Sequence, residues 1–373
     1  LKKTMRYNLN KFSLAALATS LALVCNLHAQ SETDNFRLDK PMEVTNQDGQ
    51  KILLVGMQGS SVIFQFAGMP DAQASVPVDQ GSRIRFTYPY PENFSDIQLN
   101  VLNENYDRAL RLIRKPPVDM LRFLNVPEPN CNFHLYGELY YRALAYAGTP
   151  QKAVAATAAI PLGGQNLPPV FLQHAGTLLN RLVSERKVPS AEKLLGILQT
   201  RLPVTEFSKL ALPVADQLRL LGQNELVESI YKAMSESTDE ETRKLGFLWS
   251  AYNQANIGKT KEAQILLDKI GEITEESSLF AIYCLAQGRL ALEEKNSIQA
   301  LRYLSRAMVR TTIADSYKPE IYFLMIQSYV LDENMVPARR LAREMAVFYP
   351  TNMWLETINK RFPQLKGIEK PTL

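Results

Sequence analysis

The sequence predicts a mostly α chain: a right-handed α-solenoid of about seven helical hairpins, preceded by a small all-β barrel. Three observations predict it. Apolar residues alternate with a period of two from Met42 to Tyr88. After Ser95 the period becomes 3.6 and holds to about Phe362. Through that second stretch a small or β-branched residue returns every 36 to 44 positions, the mark of a repeat array. The composition agrees, because 373 residues that are 46% hydrophobic and 21% charged can build two or three cored domains. Disorder, collagen and a disulfide-framework mini-protein are excluded on the same ground.

The first element is an expected secretory signal peptide over residues 1–29. Lys2, Lys3, Arg6 and Lys11 precede an apolar run from Phe12 to Val24, and Leu27-His28-Ala29 then offers a small residue for cleavage. The run has 13 residues, short of the roughly 20 needed to cross a bilayer. An uncleaved N-terminal anchor is the alternative, and a lipoprotein would use Cys25, although Val24 stands where a small residue should precede it. Leu1 reads as a start codon translated literally, with Met5 as another start. The leader also carries the charge. It holds four of the 42 basic residues and no acid, which leaves 38 bases against 38 acids. A nucleic-acid partner is not expected from such a balance. Nor is a membrane-spanning segment. Cys131 and Cys284, the cysteines beyond the leader, are expected to be small buried hydrophobes, set too far apart in an extended array to form a bridge.

Residues 35–91 follow as the β element. Ile52, Leu54 and Gly56 alternate, then Val62, Phe64 and Phe66, then Ile84, Phe86 and Tyr88. Turns are expected at Asn46-Gln47-Asp48-Gly49, Gly59-Ser60-Ser61, Gly68-Met69-Pro70-Asp71 and Asp79-Gln80-Gly81-Ser82. Five short strands of this kind must curl to protect their edges, so a closed barrel is expected. In pattern the segment resembles the SH3-like barrels at the N-termini of some exported bacterial proteins. Tyr88-Pro89-Tyr90-Pro91 then forms a stiff, extended exit.

Residues 95–350 carry the array. The recurring positions are Ala109, Ala153, Ala191, Val227, Ala263, Ala300 and Ala338. A turn stands five residues earlier, as at Gly148, Gly222, Gly258 and Lys295, and an apolar residue stands four later, as at Leu195, Tyr231, Leu267 and Leu304. A small residue there lets two helices approach to about 8–10 Å. With Gly288, Ala300, Leu304 and Ala307 in one unit and Tyr329, Ala338 and Pro350 in the next, the chain resembles the tetratricopeptide repeat family. The period is longer than that family's ~34 residues, and HEAT-type hairpins are the rival. Pro116-Pro117 and Pro213 are expected to interrupt helices. Residues 351–373 read as a capping helix, with Met353, Trp354 and Ile358 on one face, and a tail.

Signatures of chemistry are few. There is no His-Glu-x-x-His, Cys-x-x-Cys, Gly-x-Ser-x-Gly or phosphate loop. No catalytic residue, metal site or cofactor is therefore assigned, and an enzyme is not expected. Gly163-Gly164-Gln165-Asn166 reads as an inter-hairpin loop, and His134 and His174 as hydrogen-bonded structural histidines. Asp239-Glu240-Glu241 and Glu275-Glu276 read as helix starts, where carboxylates favour the positive end of the dipole. Arg339, Arg340 and Arg343 read as a solvated strip.

The resemblance implies a ligand surface along the first helices of the hairpins. Eleven residues before each recurring small residue from Ala153 onward stand Arg142, Asn180, Asp216, Tyr252, Arg289 and Gln327. Such a ladder is suited to hydrogen-bonding an extended peptide or its charged ends. The expected function is that of an exported bacterial scaffold or adaptor, periplasmic or extracellular, holding a protein or peptide partner. The alternative is a cell-envelope polymer (peptidoglycan) binder acting through the barrel, with Tyr88 and Tyr90 beside it.

Overall fold

The structure is a computed structural model describing residues 35–79, 83–115, 117–271 and 273–365. The expected signal peptide, most of the turn expected at Asp79–Ser82, Pro116 and the tail beyond residue 365 lie outside the described residues. The chain divides into two compact units, Leu1–Pro203 and Val204–Leu373.

The first unit opens with four antiparallel strands: β1 (Phe36–Thr45), β2 (Lys51–Gln58), β3 (Ser61–Phe66) and β4 (Met69–Pro77), in sheet order 1-2-3-4. Alternation sets the register. Val44 faces Ile52, Leu54 faces Phe64 and Val62 faces Val76, which puts Val44, Ile52, Leu54 and Val62 on the buried side. Gly56 sits at a register shift, where a Cβ would stand 2.0 Å from the Phe36 carbonyl oxygen, so only glycine fits. The β3–β4 turn is tighter than expected, with Gly68 at φ +95° and β4 starting at Met69.

The expected barrel does not close. Among the described residues β1 and β4 share no ladder, and the expected fifth strand is reduced to two isolated bridges. Its hydrogen bonds explain why. Thr45 and Thr87 exchange N–H···O bonds of 2.9 and 2.8 Å, which ties the segment to β1. The neighbouring amide of Phe86 instead donates to Asn130 O at 2.7 Å, and Asn130 Nδ2 donates to Ile84 O at 2.9 Å. Pro89 and Pro91 then lack the N–H groups a ladder needs. The segment is a strap shared by the sheet and the helical layer rather than a closing strand.

The helices of the first unit are α1 (Phe94–Leu102), α2 (Tyr106–Leu112), the short α3 (Val118–Leu121), α4 (Phe133–Ala147), α5 (Pro150–Ala159), α6 (Val170–Ser184) and α7 (Val188–Arg201). The second unit has α8 (Val204–Leu220), α9 (Asn224–Ser235), α10 (Glu240–Asn256), α11 (Thr260–Ile270), α12 (Phe280–Glu293), α13 (Ser297–Arg310), α14 (Lys318–Leu331), α15 (Met335–Phe348) and α16 (Met353–Arg361). Apart from α3 and α16 they pair as seven hairpins, and first helices pack on one another, α6 on α4 and α12 on α10.

The repeat read from the sequence has a physical basis at two positions. All seven recurring small residues have 0% exposure. In α13 they belong to the buried stripe Ala300, Leu304 and Ala307, spaced as one helical face requires. Five residues earlier the backbone turns left-handed, at Glu104, Arg186, Gly222, Gly258, Lys295 and Glu333, with φ between +55° and +81°. In each case the next amide donates back to a carbonyl five residues earlier, for example Lys259 N to Gln254 O and Asn296 N to Ala291 O, both 2.9 Å. This is the Schellman closure of a helix C-terminus. Four of the six are not glycine. The α4–α5 hairpin departs from the rule, since Gly148 has φ −67° and Pro150 opens α5.

Two single helices bear on expectations read from the sequence. α8 runs unbroken through Pro213, which lies on its exposed side, so the carbonyl it frees is left to water. α16 forms where a cap is expected, with Leu355 and Ile358 buried and Trp354 packed on Phe323 at 4.7 Å.

Candidate functional site

The six ladder positions all fall toward the C-terminal ends of first helices: Arg142 on α4, Asn180 on α6, Asp216 on α8, Tyr252 on α10, Arg289 on α12 and Gln327 on α14. Their surroundings differ. Arg142 is half-buried, with its guanidinium 5.9 Å from the Tyr106 ring, which itself stacks on Tyr146. Asn180 is exposed. Gln327 is half-buried, and its Oε1 is buried with no hydrogen-bond partner among the described residues. Asp216, Tyr252 and Arg289 are buried. The expectation of a ladder open to a ligand is corrected for these three, because their polar groups turn to partners inside the protein. Arg289 Nη2 bonds Glu293, one turn on in the same helix, and reaches Asn256 O at 3.5 Å.

Asp216 and Tyr252 belong to a buried ionic cluster centred on Arg219. Its Nη2 donates to Asp216 Oδ1 at 2.6 Å and to Glu320 Oε2 at 2.5 Å, and its Nη1 donates to Tyr231 Oη. Tyr252 Oη donates to Glu320 Oε1 at 2.6 Å. Trp249 and Tyr252 face the guanidinium at 4.6 and 5.1 Å, within reach of the cation–π attraction. One residue thus gathers α8, α9, α10 and α14.

The electrostatics follow from enclosure. Burial works to lower the Arg219 pKa, but Glu320, Tyr231 and Asp216 hold it above its ordinary value, and the group stays charged. Burial raises Glu320 while Arg219 opposes the rise, and burial keeps Tyr231 and Tyr252 protonated, Tyr252 as the donor to Glu320. Arg219 Nε and Asp216 Oδ2 remain without hydrogen-bond partners among the described residues. Incomplete satisfaction at this depth is costly, so the cluster is a fastener whose parts depend on one another.

Sequence reasoning singled out Asp216 and Tyr252, took Tyr231 for an apolar packing residue, and missed Arg219 and Glu320. Asp216 and Arg219 are spaced i, i+3 on one helix, which is a readable signal. Glu320 stands 101 residues from Arg219, and nothing local marks it.

The remaining candidates are structural. His134 Nε2 lies 2.8 Å from Leu124 O, and His174 Nε2 lies 2.9 Å from Glu138 Oε1. Burial lowers the His134 pKa, with the Leu124 contact opposing. Cys131 and Cys284 are free and buried, and burial pushes their thiols up to about 12 and about 11. Asp239 caps α10 by accepting from Thr242 N at 2.8 Å. Gly163 turns at φ +87° in the α5–α6 loop. Arg339, Arg340 and Arg343 are exposed. Among the described residues no three His, Cys, Asp or Glu are grouped to hold a metal, and no helix is long and apolar enough to cross a membrane.

No protein-family model matches the sequence, and no curated protein is similar to it.

Proposed function

We propose that the chain is an exported, non-catalytic scaffold or adaptor that holds a protein or peptide partner on the first helices of a right-handed, tetratricopeptide-like array. The observation that carries this reading is the repeated hairpin, with each second helix seated over a fully buried small residue and six of the seven first helices closed by the same turn. A surface built this way is fixed before a partner arrives, so little conformational entropy is lost on binding. Arg142 and Asn180, at equivalent positions of successive hairpins, are the ladder members with exposed or half-exposed side chains in the first unit. The test is crosslinking of the tagged full chain in its native envelope, beside an Arg142→Ala/Asn180→Ala variant. A partner captured by the wild type and lost by the variant is the expected result. Equal capture by both would overturn the assignment to these helices.

One observation favours the second reading, a cell-envelope polymer binder acting through the sheet. Phe66 and Met69 are paired across the β3–β4 turn and are 40% and 64% exposed. If this reading is the correct one, the full chain sediments with purified peptidoglycan and a Phe66→Ser/Met69→Ser variant does not.

A further inference from the structure

A cleft of about 530 Å³ opens in the first unit beside the strap, away from the ladder. Its walls are the rings of Tyr88, Pro89, Pro91 and Tyr136, and its rim carries Arg114 and Lys115. The size suits a small molecule or the end of a chain, and ring-lined walls with a few polar groups are the usual make-up of such sites.

The walls are set in advance. Asn132 holds both backbone groups of Tyr88, accepting from its N–H at 2.7 Å and donating to its carbonyl at 3.0 Å. Tyr90 Oη donates to Asn132 O at 2.6 Å. Tyr90 stacks on Phe94 at 4.2 Å, and both rings meet Tyr136 edge-on at 5.9 and 5.7 Å. Asn93 Nδ2 donates to Leu112 O at 3.1 Å, which fixes the end of α2 from which Arg114 and Lys115 extend.

The donors, by contrast, are left over. Arg114 and Lys115 are exposed and form no ion pair among the described residues, while the phenolic hydroxyls of Tyr88 and Tyr136 have no hydrogen-bond partner there. Burial raises both phenols, Tyr136 to about 12, so both carry their protons at neutral pH. The charged lining groups are Arg114, Lys115 and one carboxylate, Glu92. Asp119, outside the lining, also acts on the Tyr88 phenol, so the local positive charge is small and matches a monoanion better than a phosphate dianion. Arginine's planar fork matches a carboxylate in two parallel hydrogen bonds.

We infer that this cleft binds a carboxylate borne on a flat or apolar body, such as the terminal residue of a peptide or an acidic sugar. The body lies against the Tyr88, Pro89, Pro91 and Tyr136 rings, and the carboxylate takes hydrogen bonds from Arg114, Lys115 and the two phenols. Both sources share this chemistry, and the probes separate them.

The experiment is calorimetric titration of the full chain with N-acetylphenylalanine, its amide, glucuronate and inorganic phosphate. At least one carboxylate is expected to bind, with the amide of the peptide probe about tenfold weaker where that probe is the ligand. Arg114→Gln/Lys115→Gln should weaken binding about tenfold and leave the melting temperature unchanged, since both side chains are exposed. Tyr136→Phe keeps the ring that packs on Tyr90 and Phe94, and should weaken the carboxylate alone. Silence from both carboxylates at about ten millimolar, where even millimolar affinity is visible, would overturn the inference. So would phosphate binding tighter than either carboxylate, an amide equal to its acid, or affinity unchanged in the double variant. None of these readouts depends on partner capture by the ladder, so the two readings fail separately.

Discussion

The same repeat position leads two different lives in the two units. In the first, Arg142 and Asn180 stand at the ladder position of α4 and α6 with half-exposed or exposed side chains. In the second, Asp216, Tyr252 and Arg289 stand at the equivalent position of α8, α10 and α12 and are buried, and Gln327 on α14 is half-buried. The period of a repeat therefore fixes where on a helix a residue sits, while its exposure is set by what the rest of the chain brings near it. In the second unit that is Glu320, which draws Arg219 and Tyr252 into one cluster.

The comparison breaks most visibly by substitution at the cluster. Arg219→Ala should cost the second unit about 3–5 kcal/mol, because it leaves two buried carboxylates facing each other without their cation. Arg142→Ala should cost about 1 kcal/mol or less, the worth of an exposed cation–π contact. Chemical denaturation followed by Trp249 fluorescence reads the first variant directly, since the indole lies against the guanidinium. Similar losses for the two variants would erase the distinction between the units.

A smaller effect tests the repeat itself. Gly258→Ala places a Cβ in open space at φ +81°, so its cost is conformational alone and should be about 1 kcal/mol. Lys295→Gly, at φ +60° in the next hairpin, should stabilise by up to about 1 kcal/mol for the same reason. The opposite signs of the two shifts in midpoint are the measurement that matters.

These turns show what was legible in the sequence. The recurring small residues and the turns at Gly222 and Gly258 ahead of them are local, and the structure keeps the first at 0% exposure and the second in left-handed backbone, while Gly148 stays at φ −67°. Glu104, Arg186 and Glu333 adopt the same backbone without a residue that advertises it. The fifth strand was misread because alternation reports a half-buried extended segment, whichever neighbour takes its hydrogen bonds. The Arg219 cluster was readable only in its i, i+3 pair with Asp216, because its fourth helix, which brings Glu320, comes from far along the chain.

The smallest effects concern acid and thiol chemistry. Burial holds the His134 pKa below its ordinary 6.5, so its contribution to stability is present above that pH and is lost as pH falls through the lower folded value. Melting temperature should therefore decline more steeply below about pH 6.5 in the wild type than in His134→Gln. Thiol labelling at pH 8, in a Cys25→Ser background, should leave Cys131 and Cys284 unmodified until the chain is denatured, because both thiols are buried and protonated.

The strap at residues 83–91 has a consequence for how the chain is divided. The sequence invites a cut after Pro91, with a β cassette on one side and an array on the other. Yet Phe86 and Thr87, adjacent in the chain, bond in opposite directions, one to the helical layer and one to β1. Tyr88 is fastened at both backbone groups by Asn132, from the start of α4. The seam is thus sewn through the linker itself. The sheet is not a module that can be excised, grafted or inherited by itself, and its natural partner in any shuffling of domains is the helical layer as far as α4.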